Sequence, residues 1–201
     1  IRTIKRTARL EFRMLKEDWY QSLGEVNAQA TLAGWVDGAL EKLGPNATDR
    51  EINQHLASTL PEGSDIFFEK TFDPKTKSRV RVRPLLVTSE VGLSGDKLED
   101  AYPSVDNLNR PVVAFQMSPE GSVEFGELTE KNVGNRMAII LEGEVKSYPN
   151  IREKITDRGQ ISLGAGNREQ MGNEAFEISR VLRSGALPAP VTIEQNWTVG
   201  P

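Results

Sequence analysis

The chain contains no cysteine, which excludes both a disulfide framework and a thiolate metal site. It has one histidine, His55, and no Gly-x-Ser-x-Gly motif, so a serine hydrolase would depend on that single side chain. No apolar run approaches the roughly 18 residues of a membrane-spanning helix. The net charge of −4 does not indicate a partner such as nucleic acid or an anionic membrane. The sequence therefore offers no strong catalytic motif.

The composition is that of an ordinary globular protein. The chain has 201 residues, of which 37% are hydrophobic and 27% charged, enough for one large domain or two small ones. Helical spacing of apolar residues predicts one helix over 19–43, and Thr48 with Glu51 predicts a capping box that opens a second helix. The apolar face predicted for the first helix comprises Trp19, Leu23, Val26, Ala30, Ala33, Val36, Leu40 and Leu43.

Strand-like runs alternate with these helices, so the predicted class is α+β. Pro84 argues against a central position for the strand that contains it. Glu142-Gly143 predicts a tight hairpin, and the polar stretch 92–110 a long connection with one helical turn at 97–102. The predicted strands are 66–72, 78–88, 111–117, 137–141, 145–148, 159–163 and 190–199, and further helices are predicted at 123–133 and 167–184.

Two patterns allow a binding function. Gly164 and Gly166 follow a predicted strand and precede a helix, as in a dinucleotide-binding turn. Glu169 stands at the third glycine position, however, where its charge would oppose a pyrophosphate, and the alternative interpretation is a small-residue turn with Asn167 as N-cap.

The second pattern is a basic stripe, which alternation places on one face of a strand. These residues could bind anionic lipid headgroups, an acidic partner or nucleic acid. The favoured interpretation is structural, because no aromatic residues alternate with the basic ones to stack on bases. The stripe would then be the solvent-exposed face of a hairpin, where basic side chains prevent pairing with another strand. The opposite face of that strand carries Val80 and Val82. The stripe comprises Arg79, Arg81 and Arg83, with Lys70, Lys75 and Lys77 nearby.

Several segments resemble the SecD family of bacterial protein-export membrane proteins. The most specific is the C-terminal run Leu182-Arg-Ser-Gly-Ala-Leu-Pro-Ala-Pro190 with Thr198-Val-Gly-Pro201. Further matching segments are Thr7-Ala-Arg-Leu-Glu-Phe-Arg13, Arg110-Pro-Val-Val-Ala-Phe115, Met137-Ala-Ile-Ile-Leu-Glu-Gly143 and Arg158-Gly-Gln-Ile-Ser162. Glu142 and Tyr148 depart from the family pattern, and the helical part 18–60 carries no family motif.

The resemblance implies a two-part architecture. A ferredoxin-like base, incomplete at its N-terminus, would comprise 1–13 and 158–201, and an α+β head would be inserted as 14–157. Within the base, the closing strand 190–199 would lack its natural neighbour. The hinge between head and base would consist of Arg13, Met14, Thr156, Asp157 and Arg158.

The resemblance also implies a function. The chain would be the first periplasmic domain of a subunit in the inner membrane, held there by helices outside this sequence. Its partners would be SecF, SecYEG, YajC and unfolded preproteins, with no nucleic acid. It would assist export driven by the proton-motive force by binding emerging polypeptide and moving the head relative to the base. No catalytic residue, cofactor or metal is implied. The alternatives are a nucleotide- or small-ligand-binding domain at Gly164 and Gly166, and a periplasmic domain of another RND-type transporter.

Overall fold

The computed structural model describes residues 9–73, 75–76, 78–163 and 167–186. None of the described helices is both long and apolar enough to cross a membrane. The strands are β1 (Leu10–Met14), β2 (Ser64–Asp73), β3 (Ser78–Thr88), β4 (Leu93–Ser94), β5 (Leu98–Val105), β6 (Pro111–Met117), β7 (Met137–Leu141), β8 (Glu144–Ser147) and β9 (Arg158–Ser162). The helices are α1 (Glu17–Leu23), α2 (Glu25–Leu43), α3 (Asp49–Leu56), α4 (Pro119–Lys131) and α5 (Arg168–Ala186), with a 3₁₀ turn at Gly95–Lys97.

The strands form two sheets. A six-stranded sheet has the order β3-β2-β8-β7-β1-β4, and a three-stranded sheet has the order β5-β6-β9. Every pairing between these strands is antiparallel except β2 with β8. The α+β class predicted from the sequence is confirmed.

Both faces of the six-stranded sheet are covered. Alternate residues of β7 show the division, because Ile139 belongs to one buried cluster and Ile140 to the other. The first cluster joins the sheet to the three-stranded sheet, α4 and α5, and contains the ring of Phe12 at 5.6 Å from that of Phe115 and 5.4 Å from that of Phe125. The second cluster joins the sheet to α1, α2 and α3.

The single helix predicted over 19–43 is wrong in one respect, because Gly24 interrupts it. Its φ of 77° is left-handed, a conformation that glycine adopts without strain, and it separates α1 from α2. The predicted apolar face is also incorrect at five of its eight residues, which are exposed: Leu23, Val26, Ala30, Ala33 and Leu43. The buried residues of α2 are Ala28, Leu32, Val36 and Ala39.

Local signals in the sequence were more reliable. The side chain of Thr48 accepts from the backbone N–H of Glu51, and the Glu51 carboxylate accepts in return from Thr48 N, which confirms the capping box. Glu142 and Gly143 both have positive φ, 52° and 78°, as a two-residue hairpin turn requires. The strand that contains Pro84 lies at the edge of its sheet, as predicted.

The predicted polar connection over 92–110 is wrong for most of its length. It holds β4, the 3₁₀ turn and the whole of β5, which pairs with β6. A register shift between Leu98 and Asp100 interrupts the period-two pattern, so the alternation that would have indicated a strand is absent. Asp106 closes the turn by accepting from the backbone N–H groups of Leu108 and Arg110.

The predicted ferredoxin-like base is not confirmed by the described residues. Of the strands assigned to it, β1 lies in the six-stranded sheet and β9 in the three-stranded sheet. Each pairs with a strand assigned to the head: β1 with β7, and β9 with β6. The division into 1–13 with 158–201 and 14–157 stays a prediction, and the strand predicted over 190–199 lies outside the described residues.

Candidate functional site

The outer edge of β3 is divided into a covered half and an open half. In the covered half, Leu86 O accepts from Lys16 N (3.1 Å), and Leu86 N donates to the Tyr20 hydroxyl (3.0 Å). A β-bridge joins Leu15 to Val87. The segment around α1 therefore closes the part of β3 beyond Pro84.

The other half, residues 78–83, is called the free edge below. In the part of the chain that the structure describes, its backbone groups hydrogen-bond to β2 and to no other segment. Pro84 marks the boundary, since it has no N–H to donate. The register shifts within this half, where Val82 is an extra residue between the partners of Glu69 and Lys70, and such a bulge increases the local twist.

The arginines of the basic stripe are held by partners within the chain. Arg79 pairs with Glu144, and Arg83 donates to the Tyr148 hydroxyl. Arg81 donates to Asp49 Oδ1 (2.6 Å) and to Ala47 O. These contacts favour the structural interpretation of the stripe, because each guanidinium serves to fix the hairpin against α3 or β8.

An open groove of about 520 Å³ runs beside the free edge. One side is formed by the C-terminal half of α2, including Val36 and Leu40, and by the loop that follows it. The other side is formed by consecutive residues of β3 from Ser78 to Pro84. The lining also includes Phe68 and Lys70 of β2, so the groove covers the helix-facing side of the β2–β3 hairpin and reaches the edge of β3.

The helices beside this groove are anchored to the sheet by one arginine. Arg136 donates through Nε and Nη2 to the two carboxylate oxygens of Glu17 (2.7 and 3.0 Å), and through Nη1 to Glu25 (3.1 Å). Its guanidinium carbon lies 4.7 Å from the ring centre of Tyr20. Glu17 and Glu25 are the first residues of α1 and α2, where negative charge is favourable to a helix.

The environment of this arginine shifts three pKa values. Burial acts to raise the pKa of Glu17, but hydrogen bonds from the side chain and backbone of Arg136 outweigh it and leave that pKa below its ordinary value. Burial raises the pKa of Tyr20 to about 12. The hydrogen bond to Glu17 raises the pKa of Arg136 further above its ordinary value. The carboxylate and guanidinium therefore stay ionised together over the physiological range.

The first two predicted hinge residues lie inside a strand. Arg13 is buried in β1, where it donates to Glu11 Oε2 (2.7 Å) and to the backbone oxygens of Thr88 and Ser89. Met14 is the last residue of β1 and pairs with Met137. Rotation at these residues would disturb the β1–β7 ladder.

The other predicted hinge residues lie in a less constrained segment. Arg158 begins β9, and Asp157 O accepts from Met117 N (2.8 Å). Thr156, Asp157 and Arg158 are exposed and line a second open depression of about 740 Å³. The structure thus places the two halves of the predicted hinge in different sheets.

The remaining candidate residues from the sequence have ordinary structural positions. His55 is exposed on α3. The Asn167 side chain accepts from Gln170 N (2.9 Å), which confirms it as an N-cap, whereas Gly164 and Gly166 lie outside the described residues. Within the described ranges, no group of three or more His, Asp or Glu side chains could hold a metal ion.

The sequence indicated an edge strand here but not the groove beside it. The Arg-x-Arg-x-Arg alternation and Pro84 both indicate an edge strand. Neither could show that α2 lies beside that edge and leaves a groove, because this depends on the packing of distant elements.

Comparison with known proteins identifies a family. Residues 69–189 match the family described as the SecDF P1 head subdomain, a range that runs past the predicted head boundary at 157. The protein translocase subunit SecD of Desulfurispirillum indicum is 39% identical over 176 residues, which are 83% of this chain and 33% of that protein. The SecD of Elusimicrobium minutum is 34% identical over 208 residues, covering 98% of this chain and 37% of that protein.

A solved structure shows the same similarity. The crystal structure of SecDF in its super-membrane-facing form gives a TM-score of 0.51 at 29% sequence identity, covering 92% of this chain and 20% of that chain. The chain thus spans about a third of the length of the SecD proteins that it matches.

Proposed function

The chain belongs to the SecD/SecDF family, and from this premise we propose that it is a periplasmic domain of a SecD-like subunit that assists protein export. The observation that carries the proposal is the match of residues 69–189 to the P1 head subdomain. The named relatives are protein translocase subunits. The domain's contribution is binding and movement, with no catalytic step.

The finer parts of the proposal concern partners and motion. The domain faces the periplasm from the inner membrane, works with SecF, YajC and the SecYEG channel, and contacts unfolded preproteins. Export is driven by the proton-motive force and uses movement of the head relative to the base about Arg13, Met14, Thr156, Asp157 and Arg158. The exposed segment 156–158 beside an open depression supports a hinge on that side.

A chimaera tests the function. This chain replaces the matching domain of the Desulfurispirillum indicum SecD, and export of a secreted reporter is measured in cells that lack their own SecD. Restored export is the expected result. A correctly inserted chimaera that leaves export at the level of the deletion strain contradicts the proposal.

Paired cysteines test the hinge, since the chain has no other cysteine. Ala114→Cys with Gln160→Cys joins opposite residues of β6 and β9 across the predicted boundary at 157. Ser104→Cys with Val112→Cys joins opposite residues of β5 and β6 within the predicted head, and serves as the matched control. Opposite residues in a sheet lie within disulfide reach.

Oxidation of the boundary pair should block export in the chimaera, and reduction of that disulfide should restore export. Oxidation of the control pair should leave export unchanged. Equal export with both pairs fully oxidised contradicts a hinge movement that opens the β6–β9 ladder, and it leaves the export function standing.

A further inference from the structure

We propose that the free edge (residues 78–83 of β3) binds one extended polypeptide segment by strand addition. The segment has apolar side chains at alternate positions and carries acidic or neutral residues at the others. This inference rests on the proposed function only for the source of the segment, an unfolded protein during export. The binding itself follows from the backbone, the groove and the charges.

Among the described residues, the backbone of the free edge has unused hydrogen-bonding capacity. In an antiparallel pair every second residue directs its N–H and C=O away from its neighbour, so the regular part of the free edge, 78–81, presents about two donors and two acceptors outward. Beyond Pro84 the same edge is closed by Lys16 and Tyr20. The fold therefore protects one half of β3 and leaves the other available to an added strand.

The groove gives such a strand a place to lie. It follows residues 78–84 of β3 along one side and α2 along the other. Its volume of about 520 Å³ falls in the range of ordinary ligand-binding clefts. An extended chain in this groove would pair with β3 and cover the partly buried side chain of Leu40.

The side chains of the free edge set the alternation in the partner. Val80 and Val82 are 37% and 59% exposed, and apolar residues of an added strand would pack beside them. The extra residue Val82 shifts Arg83 out of the alternation. Arg79 and Arg81, which lie opposite Phe72 and Lys70 of β2, share one face. A basic residue opposite them is unfavourable, and an acidic or neutral residue is accepted.

The same charges argue against a second copy of this chain as the occupant. Antiparallel pairing of two free edges would place Arg79 and Arg81 of each copy on one face, opposite one another. Like charges directly opposite in a sheet are destabilising. The partner is therefore a different polypeptide.

Hydrogen exchange with a defined peptide tests the binding. The probe is a blocked peptide of about eight residues, the length of an ordinary strand, with alternating valine and glutamate. We expect the outward amides within 78–83 of the unmodified chain to exchange about ten-fold more slowly when it binds. One control peptide has lysine in place of glutamate, and another carries N-methyl groups that remove its backbone donors. Both should give little protection.

Two outcomes overturn the proposal: no slowing within 78–83, or equal slowing by the N-methylated peptide. A fluorophore on Val82→Cys gives an independent readout, with Val123→Cys as the matched control, because Val82 and Val123 are similarly exposed at 59% and 63%. The peptide should change the emission of the first label and leave that of the second unchanged. Equal changes in both labels also overturn the proposal.

Cross-linking during export separates this inference from the proposed function. A photo-reactive group is attached to Val82→Cys or Val123→Cys in the chimaera. A reporter that cross-links through position 82 supports the inference. Restored export with no cross-link at 82 overturns the inference while the proposed function stands. Loss of export in the chimaera contradicts the proposed function, and the peptide experiment still reports on the edge.

Discussion

Replacing Arg136 with methionine should destabilise the domain and loosen the helices beside the groove. The substitution removes the charge that bridges Glu17 and Glu25 and keeps much of the side-chain volume. The Arg136 and Glu17 side chains are 16% and 15% exposed, so the Glu17 carboxylate would remain largely buried without its partner. The loss therefore includes the penalty of an unpaired charge as well as the lost hydrogen bonds.

The expected loss in the free energy of unfolding is the sum of the contributions of the individual Arg136 contacts. Hydrogen bonds between charged groups contribute about 1.5–3 kcal/mol when one partner is removed. The contact with Glu25, which is 54% exposed, adds only about 0.3 kcal/mol after solvent screening. Packing over the Tyr20 ring adds about 0.5–1 kcal/mol. The sum is about 3 kcal/mol, or a fall in melting temperature of roughly 6–12 °C for a chain of this size.

Urea denaturation and thermal melting at neutral pH measure this effect. Arg180→Met is the matched control, because Arg180 forms an ion pair with Glu177 in which both side chains are well exposed. The control should change stability by less than about 0.5 kcal/mol. A similar loss in both variants would refute the argument from burial.

The pH dependence provides a second check. The pKa of Glu17 is lowered in the folded protein, so its contribution is present above the ordinary value of 4.5 and is lost as the pH falls through the folded pKa. The difference between the wild type and Arg136→Met should therefore narrow at acid pH. A difference that stays constant below pH 4.5 would contradict the assignment of the effect to Glu17.

Two other substitutions address neighbouring contacts. Tyr20→Phe removes the acceptor for Leu86 N and should cost about 1 kcal/mol at neutral pH. Because the pKa of Tyr20 is raised to about 12 from an ordinary 10.0, its neutral form stabilises the wild type below pH 10.0, and that contribution is lost as the pH rises towards 12. The gap in unfolding free energy between the two proteins should therefore shrink over this range, and a constant gap would contradict the shift. Thr129→Val leaves the partly buried N–H of Ile155 without its acceptor and should cost about 1–3 kcal/mol in chemical denaturation, whereas Thr129→Ser keeps the hydroxyl and should lose less. Equal losses in these two variants would mean that the methyl group contributes as much as the hydrogen bond, contrary to this expectation.

The sequence was a good guide wherever the structure depends on neighbouring residues. Thr48 and Glu51 cap a helix through contacts three residues apart, and Glu142 with Gly143 defines a turn through its own backbone angles. The SecD-like motifs likewise identified the family. Features that depend on distant packing were not predictable in this way. Gly24 is an ordinary residue within a helical pattern until tertiary contacts favour a break there.

The candidate site shows the same distinction. The alternation of Arg79, Arg81 and Arg83 predicted one face of a strand, but this is wrong for Arg83, because an extra residue at Val82 interrupts the alternation in β3. Their partners Asp49 and Glu144 come from parts of the chain far away in sequence, so no local pattern identifies them. The groove is less predictable still, because it is the space left between α2 and the free edge.

The described pairing bears directly on how a hinge could work. The β1–β7 and β6–β9 ladders each contain five residue pairs, and both cross the predicted head–base boundary. The buried ring of Phe12 also contacts Phe115 and Phe125 on the far side of that boundary. Separating one such aromatic pair costs about 0.5–1.5 kcal/mol beyond its area burial, and each lost backbone hydrogen bond about 1 kcal/mol.

A swing that opened both ladders would therefore need much more free energy than the roughly 1–3 kcal/mol of an ordinary allosteric coupling. Movement confined to the segment around Thr156 and Asp157 requires far less, since few described contacts hold it: Met117 N bonds to Asp157 O, and Thr129 bonds to Ile155. Movement of the head relative to the base can therefore take one of two forms. Either the segment around Thr156 and Asp157 moves while both ladders stay closed, or a ladder opens and the movement needs a large input of free energy. The disulfide between positions 114 and 160 holds the β6–β9 ladder closed and decides between these cases. Blocked export means that the ladder opens during the working cycle, and normal export means that it does not.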